Sequence, residues 1–285
     1  MSKIIDGKKI RNEILEDLKK QVKQYMIKPC LAVIQIGDDE ASNTYIKAKE
    51  KACTEIGIYF KHIKFSETTK EIEVINKILE LNNDEYVHGI LLQLPLPEGF
   101  NQDKLINYIA RNKDVDGLTD INIGKIFNNK QGLVSCTPQG IMKLLEYENI
   151  DIEGKNVTIV GRSNLVGKPL LGLMLNKNAT VTICHSKTEN LKKHTKNADI
   201  LVVAVGKKHF ITEDMVKDDA IVIDVGINRE NGKLYGDVDY DKVKAKAKKI
   251  TPVPGGVGPM TVAMLMSNVL IAYEKWSQKW KRDLR

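Results

Sequence analysis

The sequence is poor in aromatic residues and cysteines. Aromatic residues make up 6% of the chain, which disfavours a surface that stacks RNA bases. The cysteines lie far apart and form no CxxC pair, so we expect no disulfide framework, no metal site and a reducing, cytoplasmic environment. These cysteines are Cys30, Cys53, Cys136 and Cys184.

Long hydrophobic runs are also missing. The N-terminal stretch intersperses charged with apolar residues and lacks the continuous apolar core of a signal peptide. The most apolar late stretch, Met260 to Tyr273, is too short to span a bilayer and carries Ser267 and Asn268. We therefore expect no targeting segment and no membrane association.

The charge is mildly basic, with 44 Lys and Arg against 37 Asp and Glu, a net charge of +7. Such a chain could attract an anionic small ligand or nucleic acid. The lysine-rich stretch from Lys242 to Lys249 is predicted to be a solvated helix face, not a nucleic-acid surface. With 42% hydrophobic residues the 285-residue chain has ordinary globular composition, and at roughly 150 residues per domain it holds about two domains.

Apolar strand-like runs alternate with amphipathic segments in both halves of the chain. Ser42 is the predicted N-cap of a helix that stops before Gly57. This alternation predicts two α/β domains, the second a Rossmann-type doubly wound parallel sheet. Helices are predicted at 10–25, 42–56, 72–81, 137–147 and 259–276, the last one packing back onto the first domain. Strands are predicted at 31–36, 89–94, 157–160, 180–183, 200–205 and 220–225.

The segment from Val157 to Pro169 predicts a phosphate site. A buried strand ends at Gly161, and Pro169 falls in the first turn of the next helix, whose N-terminus presents backbone N–H groups to an anion. Gly161 and Gly167 would let the backbone approach a diphosphate closely. The GxGxxG fingerprint is absent, so a simple tight turn between strand and helix is the alternative.

The following strand indicates which dinucleotide would bind. An NAD site usually has an acidic residue about twenty residues after the glycine turn. The run from Thr182 to Lys187 has no acid, and Arg162 and Ser186 instead offer a cation and a hydroxyl that suit a ribose phosphate. The sequence therefore favours NADP over NAD.

Candidate reactive residues lie in the first half. Tyr45 and Lys49 are four residues apart and share one helix face, although such a pair is often simply solvated. Gln93 is the single polar residue in an apolar strand, where it is either a structural bridge or a site residue.

Two later segments also have unusual compositions. In the turn Lys113-Asp-Val-Asp-Gly117, Asp114 could close an Asx turn while Asp116 points to a ligand. The segment Thr251 to Thr261 packs three prolines and three glycines into eleven residues, which predicts a rigid loop that forms a ligand wall between domains.

Together these segments resemble the bifunctional methylenetetrahydrofolate dehydrogenase/methenyltetrahydrofolate cyclohydrolase family, and the motifs occur in the family's order along nearly the whole chain. The matching motifs are Tyr45-x-x-x-Lys49, Gln93-Leu-Pro-Leu-Pro97, Lys113-Asp-Val-Asp-Gly117, Gly161-Arg-Ser-x-x-Val-Gly-x-Pro169, Asp224-Val-Gly-Ile-Asn228 and Pro252-Val-Pro-Gly-Gly-Val-Gly-Pro-Met-Thr261.

The resemblance implies NADP-dependent oxidation of 5,10-methylenetetrahydrofolate and hydrolysis of the methenyl product to 10-formyltetrahydrofolate. It implies a catalytic domain over 1–138 with a C-terminal helix from about 262 to 285, an NADP domain over 139–261, and a cleft between them. It further implies a cytoplasmic homodimer in one-carbon metabolism and purine biosynthesis, acting on tetrahydrofolate substrates that include polyglutamylated forms, with no nucleic-acid or membrane partner.

Residue roles are implied by the same resemblance. Lys49 is the catalytic lysine, Tyr45 stacks beside the reacting carbon, Gln93 orients Lys49, and Asp116 grips the pterin edge. The remaining folate contacts are Pro254, Gly255 and Gly256. The NADP contacts are Gly161, Arg162, Ser163, Ser186 and Ile227.

Two departures from the family pattern stand out. Leu118-Thr119-Asp120 replaces an aromatic residue and a histidine at the rim of the folate site, and Ser135 replaces a common proline. The first bears on substrate affinity, not on reaction type.

Three rival readings differ in their predictions. A hydroxy-acid dehydrogenase on the same scaffold would need a His or Arg near the nicotinamide, yet His62 and His88 lie outside the motifs. A family member with one activity would not need both Lys49 and the Gly161 loop. A basic RNA-binding protein would show salt-dependent RNA binding and no NADP binding.

Overall fold

The computed structural model describes residues 3–283, with side chains to residue 280. The chain forms two compact units. The three-stranded unit comprises Glu13–Cys136 and Val262–Arg285, and the five-stranded unit comprises Met1–Asn12 and Thr137–Thr261. The predicted domain ranges extend over residues 1, 2, 284 and 285, which lie outside the described residues.

The three-stranded unit is a parallel sheet with helices between its strands. Its strand order is β2-β1-β3, with Ile34 of β1 opposite Ile63 of β2 and Leu92 of β3. Apolar side chains of β1 and β3 pack with those of α3 and α4 in a buried core. The elements are α1 (Gly7–Lys23), β1 (Cys30–Ile36), α2 (Glu40–Ile56), β2 (Tyr59–Phe65), α3 (Glu71–Asn83), β3 (Gly89–Leu92), α4 (Gln102–Tyr108) and α5 (Asp120–Phe127).

The five-stranded unit contains a second parallel sheet, in the order β10-β7-β6-β4-β5. The chain leaves β4 to form β5 on one side and then returns to form β6 on the other, which makes the topological switch point typical of nucleotide-binding sheets. The predicted α/β class with a Rossmann-type second sheet is thus confirmed. The elements are α6 (Cys136–Tyr147), β4 (Asn156–Val160), α7 (Gly167–Leu175), β5 (Thr180–Cys184), α8 (Leu191–Thr195), β6 (Ile200–Val203), a 3-10 helix (Glu213–Met215), β7 (Ile221–Asp224), β8 (Asn228–Glu230), β9 (Lys233–Tyr235), α9 (Tyr240–Lys246), β10 (Lys249–Ile250) and α10 (Val257–Asp283).

The predicted N-cap of α2 is wrong by one turn. Asp39, not Ser42, caps the helix, and its carboxylate accepts a hydrogen bond from the Ser42 backbone N–H at 2.7 Å. A carboxylate at an N-terminus also complements the positive end of the helix dipole. The predicted stop at Gly57 is confirmed, since this residue has a φ of 87° that suits glycine.

Residues 3–12 belong to the five-stranded unit, whereas the resemblance implies a catalytic domain that includes them. The backbone N–H of Ile5 donates to the Ile250 carbonyl at 2.9 Å, and the N–H of Ile250 donates to the Lys3 carbonyl at 2.8 Å. This pairing extends the edge of the sheet beside β10, which explains why the N-terminal stretch belongs to the five-stranded unit.

Helix α10 is longer than the apolar stretch from 260 to 273. By length and composition alone, its portion Val257–Trp280 could cross a membrane. The expectation that this apolar stretch is too short to span a bilayer is therefore wrong. However, 61% of the most apolar window is buried inside the structure. Buried side chains such as Met264, Leu265 and Val269 are typical of a core helix.

Candidate functional site

Lys49 and Gln93 are brought together in the three-stranded unit. Lys49 projects from the third turn of α2, and Gln93 directly follows β3, at the carboxyl edge of the sheet. The Lys49 Nζ donates to the Gln93 Oε1 at 2.5 Å, while the Gln93 Nε2 donates to the Leu94 carbonyl at 2.6 Å. Because both ends of the amide are bonded, the glutamine holds its oxygen toward the amine.

The lysine belongs to a small cluster of titratable groups. Burial lowers the pKa of Lys49, and the nearby carboxylate of Asp116 partly opposes that shift. Burial also raises the pKa of Asp116, and the lysine charge partly offsets this. A lysine with a lowered pKa can act as a proton acceptor near neutral pH far better than a solvated one.

The two acids of the 113–117 turn have separate tasks. Asp114 is buried and accepts hydrogen bonds from the backbone N–H groups of Leu118 and Thr119, at 3.1 and 2.9 Å, and from side chains of Thr119 and Asn122. Asp114 therefore builds the turn. Asp116 interacts with Lys49 and with the thiol of Cys136, so it is the acid that joins the lysine.

The departures from the family pattern have local structural roles. Thr119 caps α5 and donates to Asp114, and Leu118 packs against the core of the sheet. The Ser135 hydroxyl is buried and donates to the Gly117 carbonyl at 2.9 Å. Ser135 thus adds a hydrogen bond to the turn that carries Asp116.

Asn268 is a buried polar residue of α10 that was not predicted as part of the site. Its Nδ2 donates to the carbonyls of Val115 and Val134, both at 2.8 Å. These carbonyls flank Asp116 and Ser135, so α10 is bonded to the same turn. A single amide within an apolar helix was the available signal.

Tyr45 lies one turn before Lys49 on α2 and is 44% exposed. The 45/49 spacing places the two side chains on one face, as expected. An exposed phenol ring beside a part-buried amine offers an accessible flat surface for a planar ligand.

In the five-stranded unit, the loop after β4 is built around two glycines. Gly161 has a φ of 131°, and a Cβ there would lie 2.3 Å from the Ala204 carbonyl oxygen. A Cβ on Gly167, the first residue of α7, would lie 2.0 Å from the Gly161 carbonyl oxygen. The N-cap residue of α7, Val166, makes no side-chain capping bond. Ser163 accepts hydrogen bonds from the backbone N–H groups of Val166 and Lys168, both at 3.1 Å. The close backbone approach at the two glycines, more than free helix N–H groups, therefore suits the phosphates of a dinucleotide.

The predicted NADP side chains are exposed near this loop. Arg162 and Ser163 follow β4, and Ser186 follows β5; Val160 and Cys184 are directly paired at the ends of these strands. The cation and the two hydroxyls therefore share one edge of the sheet. Ile227, which follows β7 on the same edge, is 46% exposed. These residues fit a ribose phosphate and an apolar ring face.

Two buried carboxylates on this edge were missed as candidates. Asp224 ends β7, and Asp237 follows β9; both are nearly inaccessible. Burial raises the pKa of Asp224 to about 7, against the hydrogen bonds that it accepts from backbone N–H groups. The family-like motif around Asp224 was visible in the sequence, but the partner Asp237 lies in no motif that was singled out.

The predicted folate contacts Pro254, Gly255 and Gly256 belong to the five-stranded unit, not to the unit of Lys49. Gly255 has a φ of 111°, and its carbonyl accepts a hydrogen bond from the Lys8 N–H at 3.0 Å. A Cβ on Gly256 would lie 2.6 Å from the Pro252 carbonyl oxygen. The loop therefore requires glycine at positions 255 and 256.

Comparisons with known proteins agree with these features. The family model "Tetrahydrofolate dehydrogenase/cyclohydrolase, catalytic domain" matches residues 5–116, and "Tetrahydrofolate dehydrogenase/cyclohydrolase, NAD(P)-binding domain" matches residues 135–277. The "Bifunctional protein FolD" of Clostridium novyi is 52% identical over 269 residues, which cover 93% of this chain and 97% of that protein.

Solved structures give the same result. The chain resembles the bifunctional FolD methylenetetrahydrofolate dehydrogenase/cyclohydrolase of Campylobacter jejuni with a TM-score of 0.93 and 46% identity, covering 95% of this chain and 99% of that one. It also resembles the Trypanosoma brucei methylenetetrahydrofolate dehydrogenase-cyclohydrolase, solved with NADP and an inhibitor, with a TM-score of 0.91 and 32% identity, covering 95% and 97%. The chain belongs to the tetrahydrofolate dehydrogenase/cyclohydrolase family.

Proposed function

We propose that this chain oxidises 5,10-methylenetetrahydrofolate to 5,10-methenyltetrahydrofolate with NADP and then hydrolyses the methenyl product to 10-formyltetrahydrofolate. The observation that carries the proposal is the bonded pair of Lys49 and Gln93, in a chain that matches both domains of the family. Both reactions are named for its relatives of known structure.

The roles proposed in the catalytic unit follow from the chemistry of each group. Asp116 grips the amino-pyrimidinone edge of the pterin, because a carboxylate can accept two hydrogen bonds there. Tyr45 stacks against the folate, and Gln93 aims the amine of Lys49. We assign Pro254, Gly255 and Gly256 to folate binding from their place in the last motif.

In the oxidation, the protein mainly positions its substrate. NADP, held by the residues of the five-stranded unit, would supply the acceptor for the hydride of the methylene carbon. The positive charge that develops is shared by the two folate nitrogens, so little proton chemistry is asked of the side chains. Asp116 and Tyr45 hold the folate in place during this step, while Lys49 acts only electrostatically.

In the hydrolysis, Lys49 removes a proton from the attacking water. Water adds to the carbon of the methenyl cation as Lys49 takes one proton. The bond from this carbon to one folate nitrogen then breaks, and the remaining hydroxyl proton passes to that nitrogen, which leaves the formyl group on the other nitrogen. A free lysine is almost fully protonated at neutral pH, but burial lowers the pKa of Lys49. A nearby cationic substrate would lower it further.

The NADP contacts are assigned on the sheet edge of the five-stranded unit. Gly161 and the N-terminus of α7 receive the diphosphate, and Arg162 and Ser186 receive the ribose phosphate. Ser163 shapes the loop, since its hydroxyl accepts a hydrogen bond from the Val166 N–H at 3.1 Å. Ile227 contributes an apolar contact.

Broader assignments rest on the family pattern. We propose a catalytic domain over 1–138 with the C-terminal helix from about 262, and an NADP domain over 139–261. Within the described residues, Lys3, Ile5 and Lys8 bond to the second of these. We also propose a cytoplasmic homodimer that supplies one-carbon units for purine biosynthesis and accepts polyglutamylated folates. Sedimentation of the purified protein tests the dimer, and a comparison of mono- and polyglutamylated substrates tests the last point.

One spectrophotometric assay tests the central proposal. Methylenetetrahydrofolate and NADP are mixed with the protein, and the reduced nicotinamide and methenyl bands are followed together. We expect the nicotinamide band to rise while the methenyl band rises and then decays. A reduced cofactor without methenyl decay would indicate a dehydrogenase alone, and no change in either band would refute the proposal.

A further inference from the structure

Asp237 receives an unusual set of hydrogen bonds within the five-stranded unit. Its Oδ2 accepts from the backbone N–H groups of Val205 and Gly206, at 2.7 and 2.9 Å, and its Oδ1 accepts from the N–H of Lys207 at 2.8 Å. Three successive N–H groups that converge on one point form a concave anion site. Here the anion is the protein's own buried carboxylate, so the loop after β6 is held in one shape.

The same carboxylate also reaches the loop after β7. Its Oδ1 accepts from the Asn228 Nδ2 at 2.9 Å, and Asn228 directly follows Ile227. The carboxylate is packed so closely on Gly226 that a Cβ there would lie 2.2 Å from Oδ1. Asp237 therefore joins the loops that follow two neighbouring strands.

Asp224 in turn holds Asp237 in place. One of its oxygens accepts from the backbone N–H groups of Gly226 and Asp237, both at 2.9 Å, and the other accepts from the N–H of Val238 at 2.9 Å. The Asp224 backbone N–H donates to the Thr251 hydroxyl at 2.8 Å. Asp224 and Asp237 thus form a buried pair, called the hub below, whose carboxylates accept hydrogen bonds mainly from backbone N–H groups.

The loops held by this hub border the glycine turn of the candidate cofactor site. The Ala204 carbonyl, one residue before Val205, is the atom that leaves no room for a side chain on Gly161. In the sheet, β6 lies directly beside β4, on the side opposite β5. Arg162 and Ser186 follow β4 and β5, and the loops after these two strands form the phosphate half of the edge. The loops after β6 and β7 form the other half, which Asp237 supports.

We propose that Asp237 is a positioning residue for NADP, which holds the loops after β6 and β7 so that the half of the dinucleotide distant from the 2′-phosphate can bind. This inference rests on the proposed NADP function. The inference predicts different behaviour for two ligands. NADP, which spans both halves of the edge, needs the held loops, whereas adenosine 2′,5′-bisphosphate needs only the phosphate half.

The test is a direct titration of the full-length Asp237→Asn variant with both ligands. The amide keeps the shape of the side chain but removes the charge. Its NH2 group, a donor, would also face backbone N–H groups that now donate to the carboxylate. We expect the dissociation constant for NADP to rise at least about tenfold, because several charged hydrogen bonds are lost. The affinity for adenosine 2′,5′-bisphosphate and the cyclohydrolase rate are expected to stay within about twofold, since neither uses these loops.

Asp199→Asn is the matched control. Asp199 precedes β6 at the opposite edge of the same sheet, where it accepts a hydrogen bond from the Asn156 N–H at 2.9 Å and pairs with Lys217 at 2.6 Å. This variant also loses a carboxylate that accepts a backbone hydrogen bond, although a more exposed one, and should bind both ligands as the unmodified protein does. Asn228→Ala, a milder change, should weaken NADP binding in the same selective way and replaces Asp237→Asn if that protein does not fold.

Three results would overturn the inference. NADP binding that is unchanged in Asp237→Asn would show that the held loops do not matter. Equal weakening of NADP and the bisphosphate would show a general loss of structure. An unmodified protein that does not bind NADP at all would refute the proposed function itself, and this outcome is visible before any variant is made.

Discussion

The two units use their buried polar groups for different purposes. In the three-stranded unit, Lys49, Gln93 and Asp116 are partly or fully buried and interact with one another. In the five-stranded unit, the buried acids bind the backbone, and the candidate cofactor contacts such as Arg162 and Ser186 are exposed. Under the proposed roles, the lysine that must change its protonation state is part-buried, whereas the side chains proposed to bind the charged 2′-phosphate stay accessible.

The largest effect is expected for Lys49→Met, which keeps the apolar stem but removes the amine. General-base catalysis contributes about 10²–10⁴-fold, so the cyclohydrolase rate should fall by a factor in that range. The dehydrogenase should keep measurable activity, because hydride transfer removes no proton, and methenyltetrahydrofolate should accumulate. Both rates are measured in one spectrophotometric assay.

Lys47→Met is the control for this change, since Lys47 is exposed on another face of α2. It should leave both rates unaltered. If Lys49→Met hydrolyses the methenyl compound at the unmodified rate, Lys49 is not the base, and another group removes the proton.

The next largest effect concerns recognition in the other unit. Arg162→Ala removes the cation proposed to bind the 2′-phosphate, and a charged hydrogen bond contributes about 1.5–3 kcal/mol. The KM for NADP should therefore rise about tenfold to a hundredfold, with little change in the KM for NAD, and the cyclohydrolase rate should be unaffected. Lys177→Ala, an exposed lysine after α7, is the charge-matched control. Equal use of NADP and NAD by the unmodified protein would contradict the assignment.

A smaller, binding-specific effect is expected for Asp116→Ala. Loss of the pterin contact should weaken folate binding about tenfold in both reactions, while NADP binds normally in a direct titration. Asp103→Ala, which removes an exposed acid in the first turn of α4, should change neither. Unaltered folate affinity in Asp116→Ala would leave Asp116 with only a structural role in its turn.

The smallest effect is a shift in pH dependence. Because the base acts in its neutral form, the cyclohydrolase rate should rise with pH through the pKa of Lys49, which burial holds below 10.5. The carboxylate of Asp116 raises that pKa, so Asp116→Asn should move the rising limb to lower pH. A limb that moves to higher pH, measured at saturating substrate, would contradict the buried lysine–acid pair.

Most of the strands that the sequence predicted, such as β1 and β7, have buried side chains along their whole length, whereas β5 is an edge strand with partly exposed side chains. The runs at 31–36 and 157–160 are mostly apolar, with Gln35 and Thr158 as their polar members, so their pattern alone identifies them. Strand β2 was not predicted, because it lies at the sheet edge and carries exposed side chains such as Lys61, His62 and Lys64. The cap of α2 was misplaced because two polar residues, Asp39 and Ser42, both suit an N-cap.

The candidate site divides in the same way. The spacing of Tyr45 and Lys49, the isolated Gln93 and the glycine turn at 161–167 are local patterns, and they are readable along the chain. The roles of Asn268 and Asp237 were not predicted. Asn268 bonds to residues more than 130 positions earlier, and Asp237 bonds to a loop about 30 positions earlier.

The sequence by itself determined the alternation of strands and helices, the glycine turn and the residue types available for chemistry, because these depend on neighbours within a few positions. The sequence also favoured Asp114 for the turn and Asp116 for the site, but only the tertiary structure placed Asp116 near Lys49 and gave Asp114 its hydrogen bonds from Leu118, Thr119 and Asn122. Burial and long-range hydrogen bonds set that division, since a pKa responds to desolvation and to charges that the fold brings near.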